Sequence, residues 1–156
     1  MYKQRVERFI KVLNHCQRLG IYVSDAAQAE VTLALPYSES LVGNPDSGVI
    51  HGGPITTLMD TACGSSVIIA LPELELCPTL DLRVDYMRSA VAGETIYGHA
   101  VCYKITKNVV FTRCVTYEKT PEDPVAHCVG TFMRLGTENT PATFRDYLLA
   151  DETGVN

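Results

Sequence analysis

Residues 48–60 combine residue types that could bind an oxyanion next to a functional carboxylate. Gly52 and Gly53 follow His51 and precede a proline, which is favoured in the first turn of a helix. Backbone N–H groups at a helix N-terminus attract negative charge, and glycines allow close approach to them. Asp60 lies further along the same predicted helix, with no Lys or Arg three or four residues away. Because an unpaired carboxylate on a buried helix is costly unless it has a task, these features together indicate a functional site.

Familiar catalytic motifs are missing from the sequence. It contains no GxSxG, GxxxxGK[ST], HExxH or GxGxxG pattern, which excludes elbow-type serine hydrolases, P-loop proteins, zinc proteases and dinucleotide enzymes. The four histidines and six cysteines are scattered rather than clustered, so we expect no metal and no cofactor. A plain structural interpretation of residues 48–60 also remains open, in which the two glycines form a turn and Asp60 is an ordinary polar residue.

The elements that position this segment can be predicted from hydrophobic periodicity. We expect a helix over residues 2–19 that ends at Gly20, a half-buried strand over Glu30–Leu35 and a loop over Ser38–Ile50. A long helix with almost no charge is predicted over about Gly53–Leu71, and its composition indicates burial nearly all round. Four alternating strands follow, over Thr79–Met87, Thr95–Thr106, Val109–Glu118 and Val125–Arg134.

This order of elements predicts an α+β fold with an antiparallel sheet wrapped around one long central helix. Strict alternation in the strand that begins at Thr79 places this threonine on the face opposite to Tyr86. A tail helix is predicted over about 141–150, with Thr140 as its N-cap and Pro141 in its first turn. We expect residues 1–156 to form a single domain.

Composition and charge exclude some classes of partner for this protein. With 13 Lys and Arg against 18 Asp and Glu, the net charge is −5, so we expect no nucleic-acid partner. No apolar run approaches the roughly 18 residues of a membrane helix, so no membrane partner is expected. Residues 1–20 lack the apolar centre of a signal peptide. Six cysteines without a CxxC pair are typical of reduced, mostly buried thiols, which favours a cytoplasmic location.

Two motifs taken together identify a family. One runs from Val42-Gly43-Asn44-Pro45 through His51-Gly52-Gly53 to Asp60, and the other, Thr79–Arg88, reads T-x-D-x-x-x-x-Y-x-R. Over about residues 25–136 the chain resembles the hotdog-fold acyl-CoA thioesterases, in particular the phenylacetate-pathway (PaaI-like) type. The resemblance implies a hotdog fold and the hydrolysis of an acyl-CoA to a carboxylic acid and free CoA.

The resemblance also implies roles for individual residues. Gly52 would polarise the thioester carbonyl through its N–H, and Asp60 would be the catalytic carboxylate, as general base toward water or as nucleophile. Asn44 and His51 would hold the loop and position water, and Thr79 would help to orient that water. Asn44 lies seven residues before His51, one more than expected, which indicates an insertion in the loop.

CoA carries phosphates, so basic residues should border the site. The candidates are Arg88 first, then Arg83, Lys104 and Lys107. For each of them, a solvated surface charge is the alternative.

The spacing of Gly52 and Asp60 predicts an oligomer. If Gly52 begins the helix, Asp60 lies eight residues on, roughly 12 Å along the axis. Reacting atoms must come within about 3–3.5 Å, so one chain cannot present both groups to one carbonyl. A second copy must supply one of them, for example through two antiparallel helices about a twofold axis. The resemblance implies the same arrangement, a homodimer or homotetramer with sites between subunits.

Two other functions remain open at this point. A hotdog hydratase or dehydratase would need a histidine and a carboxylate as an acid/base pair, and His51 is its candidate. A non-hydrolytic acyl-CoA binding protein would not need Asp60, so the intact Asp60 argues against it.

Overall fold

In the computed structural model, which describes residues 1–150, an antiparallel sheet wraps around one long helix. The helices and strands, in chain order, are α1 (Tyr2–Lys11), α2 (Asn14–Leu19), β1 (Tyr22–Ala27), β2 (Glu30–Leu35), β3 (Val42–Asn44), β4 (Val49–Ile50), α3 (Gly52–Ala70), β5 (Thr79–Tyr86), β6 (Ile96–Ile105), β7 (Val109–Tyr117), β8 (Ala126–Met133) and α4 (Ala142–Leu149).

The sheet has six strands in the order β1-β2-β6-β7-β8-β5, and every neighbouring pair is antiparallel. Side chains alternate between a buried face and an outer face along β6, β7 and β8, and the buried face packs on α3. Strand β5 is an edge strand and pairs with β8 alone. This arrangement confirms the predicted α+β hotdog fold, with its sheet wrapped around a central helix.

Helix α3 is buried for most of its length because it carries a single charged residue, Asp60. Beyond its first turn, the positions that are only half-buried fall mainly on one stripe, at Thr56, Thr57, Asp60 and Gly64. Strand β5 lies beside this stripe on one side, and α2 lies on the other, where His15 Nε2 is 3.3 Å from Thr57 Oγ1. The face of α3 that carries Asp60 is therefore its least covered face.

The N-terminal prediction of one helix over residues 2–19 is wrong. Leu13 has an extended backbone, with φ −91° and ψ 94°, and it separates α1 from α2. The break allows α2 to pack on α3, where Cys16 Sγ lies 3.4 Å from Thr61 Oγ1. The predicted stop at Gly20 is confirmed, since this glycine has φ +70°.

Three smaller differences concern strands and the tail. Strand β1 was not predicted, and the predicted loop 38–50 contains the short ribbon of β3 and β4. Thr140 is not the N-cap of α4, because its hydroxyl accepts from Leu76 N–H and donates to Gly136 O. The tail helix itself is present and packs on α1, with the Phe9 and Phe144 rings 6.3 Å apart. Residues 151–156 of the predicted domain lie outside the described residues.

All six cysteines are free thiols and five of them are buried, as predicted. Within residues 1–150, no helix combines the length and the apolar character required to cross a membrane.

Candidate active site

The first turn of α3 leaves one backbone donor free. His51 precedes the helix and anchors it, because its N–H donates to Leu41 O at 2.8 Å. The Gly53 N–H donates to His51 Nδ1 at 2.9 Å, and Pro54 has no N–H to offer. Among residues 1–150, the Gly52 N–H finds no acceptor. The turn thus presents a single unpaired N–H at the positive end of the helix dipole.

His51 is an N-cap in this structure. An acceptor Nδ1 in a neutral imidazole requires the ring proton on Nε2, so the exposed nitrogen is a donor. A Cβ at Gly43 would lie 2.9 Å from the His51 Cα, which explains why the chain needs glycine where β3 passes this cap. The role of His51 in positioning water stays a prediction.

The Asn44 side chain is used locally, within its own loop. Its Oδ1 accepts from Asp46 N–H at 3.1 Å, and within residues 1–150 its side chain makes no hydrogen bond to Gly52 or Asp60. The pairing of β3 with β4 shifts register between Val42 and Asn44, as in a β-bulge. Such a bulge provides a place for the extra residue noted in this loop.

Asp60 and Thr79 are in direct contact. The Thr79 hydroxyl donates to Asp60 Oδ1 at 2.9 Å, and the carboxylate is half-buried. Burial raises the pKa of Asp60 above its ordinary value, the Thr79 hydrogen bond opposes this rise, and Cys128 adds to it. A carboxylate with a raised pKa is a stronger base, so the environment of Asp60 suits proton transfer.

Thr79 reaches Asp60 because β5 is irregular. Its pairing with β8 shifts register between Thr79 and Asp81, and Thr79 lies opposite the buried Phe132. Thr79 therefore shares the inner face with Tyr86, which lies opposite the buried Ala126. The strict alternation expected from the sequence is wrong at this strand, because one extra residue at its start turns Thr79 inward.

Tyr86 contacts the predicted site, a contact that the sequence analysis missed. Its hydroxyl donates to Gly52 O at 2.7 Å and lies 2.6 Å from Thr56 Oγ1. One strand thus contacts both predicted catalytic residues of α3, Asp60 through its first residue and Gly52 through its last. The available signal was the tyrosine of the T-x-D-x-x-x-x-Y-x-R motif, but its hydroxyl has no visible partner in the sequence.

The two arginines predicted to meet CoA have different surroundings. All five N–H groups of Arg88 are used within the chain, by the Glu118 carboxylate, by the Asp123 side chain and carbonyl, and by the carbonyl of the following residue. Arg83 makes one exposed pair, with Asp85 at 3.1 Å. Arg83 is therefore the freer cation, while Arg88 would have to release a partner to bind a phosphate.

Comparison with known proteins shows which family the fold belongs to. A family model described as the thioesterase superfamily matches residues 47–125, about half of the chain, including Gly52, Asp60 and Thr79. A Pseudomonas aeruginosa protein of known crystal structure is 52% identical, with a TM-score of 0.80 over 86% of this chain and 100% of that one. A Halobacterium salinarum protein, provisionally named an esterase, is 44% identical over 75 residues, 46% of this chain and 50% of that protein. The chain thus spans half the length of this curated relative.

Two other solved structures show the same fold at lower sequence identity. A thioesterase family protein from Silicibacter pomeroyi is 23% identical, with a TM-score of 0.74 over 86% of this chain and 98% of that one. A mutant of the phenylacetic acid degradation protein PaaI from Thermus thermophilus is 24% identical, with a TM-score of 0.68 over 78% and 99%. The family model covers about half of the chain, and this chain belongs to the thioesterase superfamily.

Proposed function

We propose that this protein is an acyl-CoA thioesterase, which hydrolyses an acyl-CoA to a carboxylic acid and free CoA. The substrate carbonyl accepts the Gly52 N–H, and Asp60 either removes a proton from the attacking water or attacks the carbonyl itself. The observation that carries this proposal is the single unpaired N–H at the start of α3. A donor fixed before the reaction stabilises the charge that develops on the carbonyl oxygen.

The complete site lies between two subunits in this proposal. Gly52 and Asp60 are eight residues apart on α3, roughly 12 Å along its axis, which is too far for one carbonyl. A homodimer or homotetramer solves this, because the Gly52 of one protomer can meet the Asp60 of its partner. The exposed edge strand β5, which touches both groups, offers a surface for such pairing.

The remaining predicted residues take supporting roles in this proposal. Thr79 holds the Asp60 carboxylate and orients water. His51 caps the helix, and Asn44 and His51 hold the loop and position water. Arg83 binds the CoA phosphates. Arg88 stabilises the adjacent loop through its bonds to Glu118 and Asp123, and it would bind a phosphate only by releasing one of these partners. Six free thiols are consistent with the cytoplasmic location we propose.

A hydratase or dehydratase fits the site less well. That chemistry would use His51 as the acid/base partner of a carboxylate, but its Nδ1 already accepts the Gly53 N–H. Its other nitrogen carries the proton and cannot accept one. Non-hydrolytic binding of acyl-CoA is the second alternative, and measurement of turnover decides it.

The test is a thiol-release assay with short, medium, long and aromatic acyl-CoAs. We expect wild-type protein to release CoA and Asp60→Asn to lose at least about 100-fold in kcat, which corresponds to about 2.7 kcal/mol in the barrier. Asp25→Asn is the matched control, because this aspartate is exposed on β1 at the opposite edge of the sheet. Full activity of Asp60→Asn would refute the assignment of Asp60, and acyl-CoA binding without thiol release would favour the binding protein.

A further inference from the structure

Tyr86 directs its hydroxyl toward α3 although the residue is 51% exposed. An exposed tyrosine usually keeps its hydroxyl in water, because solvent satisfies it at no cost in conformational freedom. The Tyr86 hydroxyl instead lies 2.7 Å from Gly52 O and 2.6 Å from Thr56 Oγ1. Both partners belong to the first turn and a half of α3.

These contacts form a directed chain of hydrogen bonds. The tyrosine hydroxyl has one proton, which it donates to the Gly52 carbonyl, so it accepts the proton of the Thr56 hydroxyl. Within the helix, the same Gly52 carbonyl also receives the Thr56 N–H. Two donors on one carbonyl fix the plane of the peptide that joins Gly52 to Gly53. This peptide is bonded through the Gly52 Cα to the His51–Gly52 peptide, which carries the free N–H.

Tyr86 also explains why residue 52 is glycine. A Cβ added at this position would lie 2.9 Å from the Tyr86 hydroxyl oxygen and 3.1 Å from the ring carbon that carries it. The tyrosine therefore packs directly on the Gly52 Cα, which only glycine permits without displacement. Together with the His51 cap, this packing leaves Gly52 little freedom to rotate.

We propose that Tyr86 is a positioning residue that fixes the direction of the free Gly52 N–H. The proposal rests on the function proposed above, in which that N–H binds the carbonyl oxygen of the thioester. A donor held in place is most valuable when the oxygen becomes an anion, and less so for the neutral carbonyl of bound substrate. Loss of the tyrosine hydroxyl should therefore lower kcat and leave KM nearly unchanged.

The kinetic test compares Tyr86→Phe with Tyr103→Phe. The control tyrosine is similarly exposed, at 52%, and within the described residues its hydroxyl makes no hydrogen bond. We expect Tyr86→Phe to lose about tenfold in kcat, the equivalent of one hydrogen bond, with KM within twofold of wild type. Tyr103→Phe should match wild type. An unchanged kcat in Tyr86→Phe, or a rise in KM alone, would overturn the proposal.

A spectroscopic test reads the position of Gly52 without using activity. Protein labelled with nitrogen-15 only in its 11 glycines gives a small set of backbone amide signals. We expect the Gly52 signal to shift in Tyr86→Phe, to remain in place in Tyr103→Phe, and the signals of glycines outside α3 to remain unchanged in both. An unchanged Gly52 signal in Tyr86→Phe would refute the proposal. Shifts spread over all glycines would show a structural role instead.

A double-mutant cycle adds a measure of direct contact. Gly52→Ala should lower the melting temperature through its contact with the Tyr86 hydroxyl, and it should lower it less in the Tyr86→Phe background. Additive effects would contradict the contact. If wild-type protein cleaves no acyl-CoA, the proposed function fails, whereas the amide signals and this cycle still decide whether Tyr86 positions Gly52.

Discussion

Asp60 must hold a negative charge in a half-buried place if it is to act on water. Burial raises the pKa of its carboxyl, and the Thr79 hydroxyl restrains that rise by donating a hydrogen bond to the charged form. The acid limb of the rate profile should therefore lie at a higher pH than that of an ordinary aspartate. Below that limb the base is protonated and the rate falls.

Replacing Thr79 tests this balance of effects. In Thr79→Val the hydrogen bond that lowers the pKa of Asp60 is gone, so the pKa rises further and the acid limb of kcat/KM moves to higher pH. Thr79→Ser keeps a hydroxyl and should retain the wild-type limb. The measurement is kcat/KM as a function of pH for the three proteins. A limb that stays in place, or moves to lower pH, in Thr79→Val would show that Thr79 does not stabilise the ionised carboxylate.

The contribution of the Gly52 N–H can be isolated with two substitutions. Proline is tolerated at the first position of a helix, so Gly52→Pro removes the donor without removing a helical hydrogen bond. Gly52→Ala adds a similar Cβ contact with Tyr86 but keeps the N–H. We expect kcat of Gly52→Pro to be about 100-fold below that of Gly52→Ala, as for the loss of one oxyanion donor. Equal rates for the two variants, measured by thiol release, would exclude the N–H from the reaction.

The elements around the site are joined by an ion pair between a half-buried arginine and a buried glutamate. Arg88, just after β5, contacts both carboxylate oxygens of Glu118, whose side chain is 3% exposed, just after β7. Burial opposes ionisation of Glu118, but hydrogen bonds from Arg88 and Val91 N–H outweigh it and lower its pKa. The pair therefore stabilises the fold at neutral pH and is lost as the pH falls through that lowered value.

Removal of this arginine should destabilise the protein. Arg88→Met leaves Glu118 buried and unpaired, so we expect the free energy of unfolding to fall by about 3–5 kcal/mol. In Arg83→Met only an exposed pair with Asp85 is lost, and the change should stay within about 1 kcal/mol. Urea unfolding measures both. If Arg88→Met is as stable as wild type and instead raises KM for acyl-CoA, then Arg88 binds the CoA phosphates.

The sequence predicted best the elements with a strong burial pattern. Strand β2 and helix α3 were predicted nearly to the residue, because alternation and the lack of charge are strong signals. Strand β1 was missed because β1 is an edge strand and only one of its residues, Val23, is buried. No Gly or Pro marks the break before α2 in the sequence, because the break follows from the packing of α2 on α3. The prediction of Thr140 as the N-cap of α4 was wrong because its hydroxyl is hydrogen-bonded to Leu76, which is distant in sequence.

Prediction of the site was likewise limited to contacts between residues that are close in sequence. Gly52 and His51 are neighbours in sequence, so their place at the start of α3 could be predicted. The contact of Thr79 with Asp60 depends on the bulge at the start of β5, which strict alternation cannot show. Tyr86 meets Gly52 across 34 residues of chain, so its role appears only in three dimensions.

For the whole molecule, a site shared between subunits has a consequence that mixing can reveal. Asp60→Asn and Gly52→Pro should each be nearly inactive as pure proteins. In mixed dimers one site pairs the intact Asp60 with the intact Gly52, so equal co-expression should restore about a quarter of the wild-type rate. Mixing of Asp60→Asn with Thr79→Val cannot restore wild-type pH dependence, because those residues act together within one chain. Absence of any recovery in the first mixture would refute the shared site.

The His51 cap and Pro54 reduce the start of α3 to one available donor. A short-lived tetrahedral intermediate concentrates its charge on one oxygen, and a single N–H donor is enough to bind that oxygen. The acid formed by hydrolysis spreads its charge over two oxygens, and one N–H holds such a group poorly. If this helix end stabilises the intermediate as proposed, it therefore binds the product acid only weakly. The free carboxylic acid should consequently be a weak product inhibitor, and its release should not limit kcat.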